Sequence, residues 1–102
     1  MYRARDRVDN EEWVARLTRA ADGLDLGGEA RTNAVDLFLS HVPSEERSKP
    51  TVAAASLYAG ALIAGEERSQ GSVAAAMDVT RLSVQRQWKD LLADAGFRPP
   101  EW

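Results

Sequence analysis

The sequence contains no cysteine. Disulfides are therefore excluded, and so is any zinc site built on thiolates. A single histidine, His41, leaves no basis for a His-rich metal site. No apolar run approaches the roughly 20 residues that a membrane span needs. The longest, Val52 to Ala64, is short and rich in alanine. The stretch from Met1 to Asp9 alternates Arg with Asp and lacks the apolar core of a signal peptide. No nucleophile–base pair and no Gly-rich phosphate loop appears, so nothing points to an enzyme. From these absences the expectation is a cytoplasmic protein with no cofactor, no metal and no membrane partner.

Basic residues do not dominate either. The net charge is −3, which argues mildly against a general nucleic-acid binder. Its distribution is more informative than its sum. Residues 1–20 carry five Arg against four acids, 21–68 four bases against eight acids, and 69–98 four bases against three acids. The acid excess lies in the middle and spares the last third.

Strand-like alternation is missing throughout, whereas helical spacing recurs five times, so the expected class is all-α. A first helix is predicted from Asp9, where Asp9-x-x-Glu12 has the form of a capping box. It places Trp13, Leu17, Ala20, Ala21 and Leu24 on one face. Gly27-Gly28 breaks the chain, and a second helix from about Glu29 presents Ala30, Ala34, Leu37, Phe38 and Val42 before Pro43. The third helix opens at Pro50, a residue suited to a first turn because its missing N–H would be unpaired there anyway. From Val52 to Ala64 it is apolar all round, as expected of a helix buried on every side. Gly60 and the alanines permit close approach of its neighbours. His41 reads as a C-terminal capping or surface residue, and Trp13, Phe38, Tyr58 and Trp88 as core.

After the polar connection Gly65-Glu66-Glu67-Arg68, Ser69 is placed to cap a fourth helix holding Val73, Ala74 and Met77. Thr80 is placed to cap a fifth, which buries Val84, Trp88, Leu91, Leu92 and Ala95 and stops at Gly96 and Pro99-Pro100. Two short helices joined by a tight turn meet steeply, which imposes three local requirements. A small residue is needed where they cross, met by Ala74. A residue tolerant of left-handed angles is needed in the turn, met by Asp78. A branched apolar residue must face back, met by Val84.

Three segments carry a family resemblance. Lys49-Pro50 followed by Val52 to Leu57-Tyr58 is a Pro-then-Ala-rich helix ending in Leu-Tyr. Ser69-Gln70 through Val73-Ala74 is a helix opened by Ser-Gln. Val79-Thr80 through Lys89 to Leu91 ends in Lys-acid-Leu. Together they resemble the second half of the cyclin-like repeat of transcription factor IIB, in its archaeal form. The resemblance implies a five-helix cyclin-like domain closed by a C-terminal helix-turn-helix. The expected domain spans 9–96, with the helix-turn-helix at about 69–95, a flexible tail over 1–8 and a second tail over 97–102. Full-length members of the family carry a Cys-rich zinc ribbon and two such repeats. Without cysteine and with room for one repeat, this sequence is expected to be a single repeat and not a complete initiation factor. It departs from the family pattern in having Asp78 for a small turn residue, Trp88 for Tyr and Ser72 for the capping-box Glu.

The resemblance implies a DNA-binding transcription regulator whose partner is double-stranded promoter DNA. TATA-binding protein or other transcription proteins are further candidate partners. It carries DNA contact onto Leu82 and Gln85, where the family's recognition helix usually bears Val and Arg. The residues themselves add to this list. On a helix turning about 100° per residue, Leu82 and Arg86 lie opposite the Val84–Trp88 stripe, with Arg81 at the start and Gln85 and Lys89 on one flank. Arg81 and Arg86 suit a guanine edge, Gln85 an adenine and Leu82 a thymine methyl. Lys89, Thr80 and Ser72 suit phosphates. The competing expectation is a solvated helix face on a cyclin-like module that docks other proteins without touching DNA. A basic patch joining Arg3, Arg5 and Arg7 to the last helix would favour DNA.

Overall fold

A computed structural model describes residues 4–97. Over that range the chain is all-α, with six α-helices, one 3₁₀ turn and no strand among the described residues. The helices are α1 (Ala4–Asp9), α2 (Glu11–Gly23), α3 (Gly28–Ser40), α4 (Lys49–Ile63), α5 (Gln70–Met77) and α6 (Arg81–Asp94). The 3₁₀ turn, Glu46–Ser48, leads directly into α4.

The centre of the fold is α4. Every residue from Val52 to Ala61 is buried, including Ser56, whose hydroxyl donates back to the Val52 carbonyl at 2.8 Å. No water is needed there, because the helix satisfies its own polar group. Helices α3 and α6 pack on α4 most extensively, while α2 and α5 complete the enclosure. The first face of α2 is as the spacing requires, with Trp13, Leu17, Ala20 and Ala21 buried. Trp13 meets Phe38 of α3 with ring centroids 6.2 Å apart.

Gly60 fixes how close α3 comes to α4. A Cβ at this position would lie 2.7 Å from the Ala34 nitrogen, 3.0 Å from its Cα and 3.1 Å from the Ala30 carbonyl oxygen. All three are backbone atoms, so no side-chain rotation relieves the clash. Gly60→Ala is expected to cost about 1–3 kcal/mol of stability and to lower Tm by at least about 4 °C. An unchanged melting curve would mean that α3 and α4 can separate without loss.

The start of the chain differs from expectation. Helix begins at Ala4, within the segment expected to be a tail, and the Asp9-x-x-Glu12 capping box does not form. The reason is local. Asp9 is the last residue of α1, so it is already helical and cannot cap, and Asn10 stands at the junction. The Asn10 side chain makes no cap bond either. Its amide donates to the Asp6 carbonyl at 2.7 Å, and its oxygen accepts from Lys49 Nζ at 3.1 Å. Lys49 in turn pairs with Glu46 at 3.0 Å, and this hydrogen bond holds the Glu46 carboxyl below its usual pKa. Helix α3 ends at Ser40, with Val42 half-buried beyond it. His41 follows as its C-cap, and Nδ1 lies 2.8 Å from the Leu37 carbonyl. Pro99 and Pro100, expected to stop the last helix, lie outside the described residues. Gly96, at φ 91°, provides the left-handed residue after α6.

The connection after α4 does more than its polar composition suggested. The Glu66 carboxylate accepts the Gly27 N–H at 3.1 and 3.3 Å, capping α3 from 39 residues away. Arg68 donates to the carbonyls of Leu24 at 2.9 Å and Asp25 at 3.1 Å. The same guanidinium reaches the Glu66 and Glu67 carbonyls. These bonds tie the entry of α5 to the α2–α3 connection.

Candidate nucleic-acid interface

Both helices of the C-terminal pair start on a hydroxyl cap. Ser69 Oγ accepts the Ser72 N–H at 3.0 Å, and Thr80 Oγ1 accepts the Ser83 N–H at 3.2 Å. Ser69 Oγ also donates its proton to Ser72 Oγ at 2.8 Å. The Ser72 hydroxyl hydrogen takes no part in this bond. Between the helices, Asp78 takes the left-handed conformation at φ 58°, ψ 45°. The Val79 N–H returns to the Ala74 carbonyl at 2.9 Å, closing the turn at the small residue where the helices meet.

Helix α6 is oriented by its apolar stripe. Val84, Trp88, Leu91 and Leu92 are buried, and Trp88 stands edge-on to Tyr58 of α4 with centroids 5.1 Å apart. Burial raises the Tyr58 phenol above its usual pKa, and its hydroxyl donates to Glu67 Oε2 at 3.3 Å. With that stripe fixed inward, Arg81, Leu82, Gln85, Arg86 and Lys89 are all exposed, as are Ser72 and Thr80. Leu82 is 48% exposed, one of four large apolar side chains exposed among the described residues, with Val8, Ile63 and Phe97.

The expected residues do not share one face. Gln85 and Lys89 border a cleft of about 520 Å³ with Tyr58, Leu62, Glu67, Gln70 and Trp88. Lys89 Nζ lies 5.7 Å from the Trp88 ring centroid. Arg81 leans towards α5, its Cδ 4.0 Å from where a Gly71 Cβ would be. Arg81 and Arg86 have no carboxylate partner among the described residues, and the acids of α6, Asp90 and Asp94, lie in its second half.

Among the described residues, the N-terminal arginines are engaged elsewhere. Arg5 pairs with Asp9, and Arg7 borders a cleft with Thr18, Arg31 and Asp36 on the α2–α3 side. Arg3 lies outside the described residues. Two arginines that sequence reasoning passed over, Arg16 and Arg19 of α2, instead adjoin the last turn of α5 at Ala76 and Met77.

The arrangement of two capped helices on a buried α4 coincides with a family model, the transcription factor TFIIB repeat, which matches residues 14–94. The chain belongs to that family. Among archaeal relatives named transcription initiation factor IIB, that of Methanosphaerula palustris is 36% identical over 78 residues, 74% of this chain. The Archaeoglobus fulgidus protein is 32% identical over 79% of the chain, and the Pyrococcus abyssi protein 29% over 82%. The chain spans about a quarter of the length of these relatives, from 23% to 29%. The match starts at Val14, inside α2, runs through α6 and leaves out α1. No helix among the described residues is long and apolar enough to cross a membrane.

Proposed function

We propose that this TFIIB repeat acts in transcription initiation by binding double-stranded promoter DNA, with α5 and α6 as a helix-turn-helix and α6 in the major groove. The observation that carries the reading is the pair Arg81 and Arg86, exposed on the first half of α6 and without carboxylate partners among the described residues. Surface arginines with nothing to pair with retain all their donors for an incoming guanine edge or phosphate. Leu82, between them and half-exposed, suits a thymine methyl. Ser72 and Thr80, at the two helix starts, suit phosphates, where exposed N–H groups and the helix dipole also favour an anion. Gln85 and Lys89 work from the flank, Gln85 towards adenine and Lys89 towards the backbone.

A duplex-binding titration at increasing salt tests this. The logarithm of the binding constant should fall linearly with the logarithm of salt concentration. Arg86→Ala should weaken binding at least about fivefold and relax sequence preference at one position, since a bidentate base contact discriminates by about 1–3 kcal/mol. Failure to bind any duplex at low salt would sink the proposal. That outcome would favour a second reading, a protein-docking module. Its supporting observation is a cleft of about 470 Å³ in which exposed Ile63 and Phe97 adjoin Asp36 and Asp94. Such a surface suits a basic, apolar segment of another transcription protein, TATA-binding protein among the candidates.

A further inference from the structure

The cations of this domain divide sharply by partner. Arg5, Arg31, Arg47 and Lys49 each have a carboxylate within 4.0 Å. Arg68 is engaged by four backbone carbonyls. Among the described residues Arg7, Arg16, Arg19, Arg81 and Arg86 have no carboxylate partner. Arg7 shares its cleft with Asp36. Of the remaining four, three border α5, and Arg86 is exposed on α6. Arg81 lies beside Gly71 near the start of α5, and Arg16 and Arg19 lie beside Ala76 and Met77 at its end.

The cleft at Arg16 and Arg19 has a volume of about 420 Å³ and no acidic residue in its wall, which Ala20, Gly23 and Leu24 complete. Arg16 is held in place by its guanidinium, 4.3 Å from the centroid of the buried Trp13 ring. Stacking leaves the in-plane N–H donors of a guanidinium free, so the group is ordered without being satisfied. Between the two cationic ends, α5 exposes only Gly71, Ser72, Ala75 and Ala76. No long side chain there would hold a polyanion away. Eight residues of helix span about 12 Å, comparable to the width of the major groove.

We propose that Arg16 and Arg19 form a second phosphate-binding patch, which grips the sugar–phosphate backbone of the same duplex that α6 reads. The patch rests on the DNA-binding reading above. It contributes affinity without sequence preference, because phosphates carry no base identity. It also supplies, from α2, positive charge that the overall balance of −3 conceals.

The test compares salt titrations of the full chain, the double variant Arg16→Gln/Arg19→Gln, the single variant Arg19→Gln and Arg86→Ala, each on two unrelated duplexes. For the double variant, the slope of log K against log salt should become shallower by about 1.8, two phosphates at about 0.9 each. Affinity should fall by the same factor on both duplexes. Arg19→Gln alone, which leaves the Trp13 stack intact, should change the slope by about 0.9 with Tm unaltered. If Arg86→Ala weakens binding while both glutamine variants keep the parental slope and affinity, the patch is refuted and the α6 reading stands. If the parent binds no duplex, both fall. If the double variant keeps its DNA slope but loses binding to a polyglutamate peptide, the patch serves an acidic protein and the proposal is overturned.

Discussion

Replacing Val84 by aspartate is expected to abolish the cooperative thermal transition of this domain. Val84 is fully buried on α6, in the core formed with α4 and α5. The substitution removes apolar burial of about 1.5–3 kcal/mol. It also brings a carboxyl into a site where burying even a neutral polar group without a partner costs about 2–7 kcal/mol. Native domains are stable by only about 5–15 kcal/mol in total. The two losses together therefore consume most or all of the margin. Far-UV circular dichroism during heating would check it. A sharp transition within a few degrees of the parent's would mean that Val84 does not face the core and that the exposed face of α6 is wrongly oriented. Because the same stripe sets the outward direction of Arg81, Leu82 and Arg86, the stability result also bears on the proposed DNA contacts.

Trp88→Ala tests the same helix by a different mechanism, loss of volume instead of burial of charge. Trp88 is 6% exposed and meets Tyr58 edge-on at 5.1 Å. Truncating a buried tryptophan costs about 3–5 kcal/mol, including the cavity left behind. An aromatic pair of this geometry adds roughly 0.5–1.5 kcal/mol to what burial alone supplies. For a domain of this size the expected fall in Tm is at least about 12 °C. Trp88→Phe, which keeps a ring against Tyr58, should recover most of it. A melting temperature within about 4 °C of the parent for the alanine variant would show that α6 does not depend on this pair. Loss of the tryptophan also opens the cleft that Gln85 and Lys89 border, so their orientation would loosen even where the fold persists.

The two proposals about DNA separate cleanly by residue. Arg86 bears on what is read, and Arg16 with Arg19 on how firmly the backbone is held. A variant that changes sequence preference without a comparable change in salt slope belongs to the first, and the reverse to the second.

Much of this architecture was legible in the sequence, because the signals that carry it are short-range. The apolar run from Val52 to Ala64 specified a central helix, and Val84, Trp88, Leu91 and Leu92 specified which side of α6 turns inward. The caps at Ser69 and Thr80 and the left-handed Asp78 were likewise readable, since each acts on backbone groups within four residues. The same locality explains the failure at Asp9. Its capping-box pattern was sound as a pattern, but a preceding helix, α1, had already taken the residue into its last turn.

What only the tertiary structure decided are the partners far apart along the chain. The Glu66 carboxylate meets Gly27 across 39 residues, Lys49 meets Asn10 across 39, and Arg68 meets Leu24 across 44. No periodicity encodes such pairs, because their chemistry is that of ordinary surface residues until the fold brings them together. The arginines divide for the same reason. Composition counts all eleven alike. The fold, by deciding which ones find a carboxylate and which border α5, determines which of them remain available to an anion.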